Sequence, residues 1–260
     1  MQAEQSQAPQ PGADDPLPEA IALAEGAAQA GIGLKLLGGL AVRVLTPTLP
    51  PRLRQGQDMD FACLSKGRKA TAGFLESNGC LPDRRFNNLN GDRQMYFTAP
   101  SGRPIDVMVD RLTMCHVLDF RPGYSRLPLT LDAIDILLSK LQIVELNEKD
   151  ARDILQLMAG LPVRETGADG EPFLDAKRFG QLLSADWGWW RTVTGNLDKL
   201  PGIAASQPEL VPAGAAHDPV AQARQLAEVA ASVPKGMKWK LRANVGDRVR
   251  WYELPEEVGH

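Results

Sequence analysis

Leu34-Lys35-Leu36-Leu37-Gly38-Gly39-Leu40-Ala41-Val42-Arg43, followed by Asp58-Met59-Asp60-Phe61, is the stretch from which the fold is read. Four apolar-rich residues predict a short buried strand, two glycines end it, and an apolar run opens a helix. Side chains alternate along a strand, so Asp58 and Asp60 share a face while Met59 and Phe61 pack behind them. A strand predicted over Asp58 to Leu64 would carry both carboxylates. Further on, Pro104-Ile105-Asp106-Val107-Met108-Val109 places one more carboxylate inside an apolar run. These three acids are the candidate ligands of a divalent cation, and hard carboxylate oxygens suit magnesium better than zinc. Gly38 and Gly39 let the backbone approach a phosphate closely, and the helix that starts there aims its unpaired N–H groups at the anion.

Around this motif the chain predicts an α/β core with a small mixed sheet flanked by helices, followed by a mostly helical C-terminal lobe. A helix from Leu17 ends near Gly31, Lys66 to Ser77 is helical, and Gln94-Met95-Tyr96-Phe97-Thr98 pairs with Ile105–Val109 across a tight connection. After Pro128, Thr130 is the expected N-cap of a helix with the apolar stripe Leu131, Ile134, Leu137, Leu138 and Leu141. Asn147 caps the next helix, which turns Asp150, Asp153, Ile154 and Leu157 inward. The segments follow as a disordered tail over 1–16, the α/β core over 17–128, the helical lobe over 129–200, and a linker, helix and β-hairpin over 201–260. In that hairpin Lys238–Arg242 pairs with Arg248–Tyr252, and its basic, aromatic character suits either a cover for the helices or a nucleic-acid contact.

At 260 residues and 43% hydrophobic content the chain can bury a full core. It contains neither a long apolar span nor a basic leader followed by an apolar region, so the expectation is a cytoplasmic protein without membrane contact. Cys63, Cys80 and Cys115 lack metal-ligand spacing and read as core residues. The net charge of −3 hides a run of twelve Lys and Arg from Arg52 to Arg126, a surplus that favours a polyanionic ligand once metal neutralises the acids.

The order of glycine pair, Asp-x-Asp and isolated strand Asp resembles the nucleotidyltransferase superfamily of polymerase-β-like fold. The likeness lies in Leu37–Arg43, Asp58-Met59-Asp60-Phe61 and Ile105-Asp106-Val107. Leu137-Leu138-Ser139-Lys140-Leu141 and Glu148–Leu155 look like the helical lobe of AbiEii-like abortive-infection toxins. The resemblance implies two Mg2+ ions on Asp58, Asp60 and Asp106, with the nucleoside triphosphate held by Gly38, Gly39, Arg43 and Lys140 and by Asp150 or Asp153. It implies transfer of a nucleoside monophosphate to a hydroxyl of tRNA, a protein or a small molecule, as the toxin of a pair with an antitoxin protein. Two alternatives stand beside it: Lys140 simply pairs with Asp153, and the chain is a catalytically silent nucleotide-binding module.

Overall fold

The computed structural model describes residues 15–51 and 56–254. The expected tail, up to residue 14, lies outside the described residues, as do Arg52 and Arg54. Helix α1 (Leu17–Gln29) buries Ala20, Leu23, Ala24 and Ala27 and stops before Gly31, whose φ of +69° favours glycine. Then come β1 (Lys35–Leu36), α2 (Gly38–Leu45) and β2 (Met59–Cys63). Strand β2 is shorter than expected: Asp58 lies just before it and is exposed.

Helix α3 (Arg68–Ser77) leads to β3 (Leu81–Pro82), α4 (Arg84–Asn90), β4 (Gln94–Thr98) and β5 (Pro104–Val109). The five strands form one mixed sheet in the order β1-β2-β5-β4-β3, in which β2 and β5 run parallel and the other pairs antiparallel. The sheet is flanked by helices, the α/β class expected. Met59, Phe61, Met95, Phe97, Ile105 and Val107 are buried on one face. Alternation leaves Asp60, Gln94, Tyr96 and Asp106 on the other. Helix α4 was not anticipated. Its Asn87 takes the place of a neighbouring strand on β4, accepting from the Tyr96 backbone N–H at 2.6 Å and donating to the Tyr96 carbonyl at 3.0 Å.

A small hairpin, β6 (Arg111–Thr113) with β7 (Val117–Asp119), extends past the end of β5. Helix α5 (Ala133–Leu141) follows, capped not by Thr130 but by Asp132, whose carboxylate accepts from the Ile134 N–H. Thr130 instead lies in a segment bridged to the edge of β1 at Leu36, so its backbone is committed to the sheet. Asn147 caps α6 (Glu148–Gly160), as expected. After the short parallel pair β8 (Val163–Arg164) and β9 (Leu174–Asp175), Asp175 caps α7 (Ala176–Ala185) and Asp186 caps α8 (Trp187–Ser206).

Two expectations for the C-terminal part are overturned. Pro201 does not begin a linker; it lies inside α8, which packs against α9 (Pro219–Ser232). The predicted terminal hairpin is absent among the described residues: Met237–Val245 forms α10, which turns Trp239, Arg242 and Ala243 inward at helical spacing. Buried apolar side chains from α1, the sheet, α5, α6, α8 and α9 join in one cluster that runs from Ala20 to Ala230. No helix among the described residues is long and apolar enough to cross a membrane.

Candidate active site

The switch from β1 to α2 is made at Leu37, extended and acting as the helix N-cap, and its N–H donates to the Asp60 carbonyl at 2.9 Å. Gly38 takes a φ of +66°, and a methyl group there would come within 2.1 Å of Asp60 Oδ2. The first glycine therefore makes room for the Asp60 carboxylate against the start of α2. A methyl on Gly39 would come within 2.9 Å of Gln57 Nε2 and 3.9 Å of Asp153 Oδ2, which brings α6 to the same helix end. The positive end of α2 thus faces carboxylates from two directions.

Asp60 and Asp106 are register partners on the parallel strands β2 and β5. Paired strands lie about 4.8 Å apart, so the two carboxylates leave the same face side by side. Gln94 Nε2 donates to Asp106 Oδ1 at 2.5 Å. Tyr96 is the register partner of Asp106 on β4. Its phenol pKa is raised by burial first, then by the charges of Asp106, Asp58 and Asp83. The Phe86 ring meets that of Tyr96 edge-on at 6.3 Å. Gln94 and Tyr96 escaped the sequence reading, although the tight connection between the two predicted strands already brings them beside Asp106.

Among the described residues no three His, Cys, Asp or Glu side chains converge closely enough to hold a metal ion. The donors nonetheless fit a hard divalent cation in chemistry and in register: carboxylate oxygens from Asp60 and Asp106, with Asp58 at the mouth of the strand. Magnesium keeps several waters and substrate oxygens, so two protein carboxylates can suffice.

The expected basic residues, Lys140 and Arg43, have carboxylate partners. Lys140 Nζ lies 3.0 Å from Asp153 Oδ2 and 3.2 Å from Asp150 Oδ1. Burial alone would lower the pKa of this ammonium, but the two carboxylates outweigh it and raise it. Lys140 thus makes the contact with Asp153 weighed from sequence, with Asp150 as a second partner. The approach of Asp153 to where a Gly39 methyl would stand places this triad beside α2. Arg43 makes a two-pronged ion pair with Asp15, at 2.7 and 2.8 Å, which ties the start of the described chain to α2. That hydrogen bond holds the Asp15 pKa below its ordinary value.

No family model and no curated protein matches this chain. Among solved structures, it is similar to an antigenic nucleotidyltransferase-like protein from Paracoccidioides brasiliensis, at 14% identity and a TM-score of 0.37. The match covers 85% of this chain and 94% of that one. A likeness this distant carries no argument about the site, whose case rests on its own geometry.

Proposed function

We propose that this chain is a magnesium-dependent nucleotidyltransferase that moves a nucleoside monophosphate from a nucleoside triphosphate to an acceptor hydroxyl. The observation that carries the reading is the in-register pair Asp60 and Asp106 on parallel strands, with Asp60 seated against Gly38 at the N-terminus of α2. Magnesium, when bound, would neutralise phosphate charge and lower the pKa of the attacking hydroxyl. Asp60 and Asp106 would hold it, with Asp58 beside them at the mouth of the strand. The acceptor oxygen forms a bond to the α-phosphorus, the bond from that phosphorus to the bridging oxygen breaks, and pyrophosphate leaves. The hydroxyl proton passes to Asp106 or solvent, and Gln94 keeps Asp106 oriented by holding one of its oxygens. The N–H groups at the start of α2 would hold phosphate oxygens once a cation screens Asp60. The acceptor class, whether tRNA, protein or small molecule, and the part of an antitoxin-controlled toxin belong to the same proposal.

A second reading is favoured by a specific observation. Lys140 is already neutralised by two acids, and no three acids converge among the described residues. This suits a module that binds nucleotide without turning it over. Incubation with labelled nucleoside triphosphates and an acceptor panel separates the two. Label transfer that Asp60→Asn and Asp106→Asn abolish supports the transferase. Magnesium-dependent binding without transfer supports the silent module, and transfer that survives both substitutions removes Asp60 and Asp106 from the chemistry.

A further inference from the structure

The C-terminal segment gathers charge and exposed apolar surface in one place. Residues 235–254 hold six Lys and Arg against two acids, in a chain whose net charge is −3. Of the eight large hydrophobics exposed among the described residues, five are here: Met237, Leu241, Val245, Val249 and Leu254. Met237, Leu241 and Val245 recur every fourth residue of α10 and form one outward stripe. On a helical projection Lys238 borders one side of it and Lys240 the other. Trp239 and Arg242 point the opposite way and fix the helix. Trp239 Nε1 donates to the Leu183 carbonyl at 3.0 Å, and the Arg242 guanidinium stacks 4.5 Å from the Trp187 ring centre. The following chain is fastened too: Arg191 pairs with Asp247 at 3.0 Å, Trp251 Nε1 donates to Thr192 Oγ1 at 3.0 Å, and the Glu253 N–H donates to the Cys115 carbonyl. The stripe is therefore a preformed surface.

Beside it opens a cleft of about 530 Å³ whose walls include Trp239, Arg242, Arg250, Trp251 and Tyr252, with exposed Val117 at its edge. We propose that this surface docks an acidic segment of a partner protein, which lodges a large apolar side chain in the cleft and lays carboxylates against Lys238, Lys240 and Arg250. Charge complementarity requires an anionic partner. A bilayer would cover the stripe but leave the concave cleft empty, whereas a peptide side chain fills it. Nucleic acid would use the cations and the aromatic rings but gain nothing from Met237, Leu241 and Val245. Trp, Tyr, Arg and Met are the residue types that anchor protein interfaces.

The test selects random displayed peptides on the full chain, with depletion on a Lys238→Glu/Lys240→Glu variant whose exposed substitutions leave the packing intact. Enriched peptides should be acidic with one large apolar residue. Their synthetic copies should lose roughly tenfold in affinity for that variant and for Leu241→Asp, and should shift tryptophan fluorescence. Neutral or basic winners, binding indifferent to both variants, or no enrichment at all overturns the proposal. So does retention by phosphatidylserine vesicles or by poly(U) without peptide binding.

Discussion

Gly38 has two independent reasons to lack a side chain, a φ of +66° and Asp60 Oδ2 at 2.1 Å from where a methyl would stand. Left-handed backbone costs an ordinary residue 1–2 kcal/mol and overpacking costs a similar amount, so Gly38→Ala should lose about 3 kcal/mol of stability. Gly39 has ordinary helical backbone, and its nearest neighbour is the flexible end of Gln57. Gly39→Ala should therefore fall within about 1 kcal/mol of wild type, because the gain in helix propensity offsets a small shift of Gln57. Urea midpoints decide: equal losses would mean that the Gly38 contact is not what constrains the site. Gln94 makes its own prediction. It holds Asp106 Oδ1, and groups that orient a metal ligand typically matter 10- to 100-fold in affinity. Gln94→Ala should weaken magnesium binding, measured by titration calorimetry, by about tenfold. Full affinity in this variant, alongside loss in Asp106→Asn, would leave the metal site standing and remove Gln94 from it.

The β6–β7 turn shows how an element can carry a titration without chemistry. Its His116 ring is buried, with Nε2 2.9 Å from Thr192 Oγ1 and Trp189 stacked 5.0 Å away. Burial pushes its pKa down to about 4, against the nearby charge of Asp186. The unfolded chain thus binds more protons than the folded one between the ordinary histidine value and 4, and stability rises with pH across that window. It is fully present above about pH 6.5 and lost as pH falls toward 4. Asp135, pushed up to about 7 by burial, works in the opposite sense, losing stability as pH rises from 3.8 toward 7. The difference between wild type and His116→Gln isolates the histidine: the wild-type advantage should shrink by about 2–3 kcal/mol on going from pH 7 to pH 4. A difference that stays constant with pH would show that folding leaves the imidazole pKa at its ordinary value.

The same scale explains what could be read in advance. The strands β4 and β5 alternate cleanly and a tight connection joins them, so their pairing, and with it the place of Asp106, was legible. Lys238-Trp239-Lys240-Leu241-Arg242 also alternates, yet it is helical, because Trp239, Arg242 and Ala243 half-bury a helical face that five residues cannot distinguish from a strand's. Thr130 and Asp132 are both good caps, and only the bridge of Thr130 to Leu36 decides between them. Within the candidate site, the side-by-side placement of Asp60 and Asp106 was legible from strand alternation. The Lys140–Asp153 pair was legible as well, whereas the partner of Arg43 was not, since Asp15 reaches Arg43 across 28 positions of chain.

At the scale of the molecule, the buried cluster from Ala20 to Ala230 joins the sheet to α5, α6, α8 and α9, so the expected core and helical lobe share one interior. The candidate site sits where they join: Asp60 and Asp106 come from the sheet, Lys140 and Asp153 from α5 and α6, and the start of α2 touches both. A shared interior predicts one cooperative thermal transition, because neither part can expose its half of the core while the other stays folded. A ligand bound at the junction then stabilises the whole. Magnesium with a nucleoside triphosphate at a hundred times its dissociation constant adds about 2.7 kcal/mol, and a chain of this length gains about 2–4 °C for each kcal/mol. The single calorimetric transition of wild type should therefore move up by roughly 5–10 °C, while Asp60→Asn and Asp106→Asn stay near their unliganded midpoints. Two transitions, of which ligand moves only one, would mean that the sheet and the helices unfold separately and that only one of them holds the nucleotide.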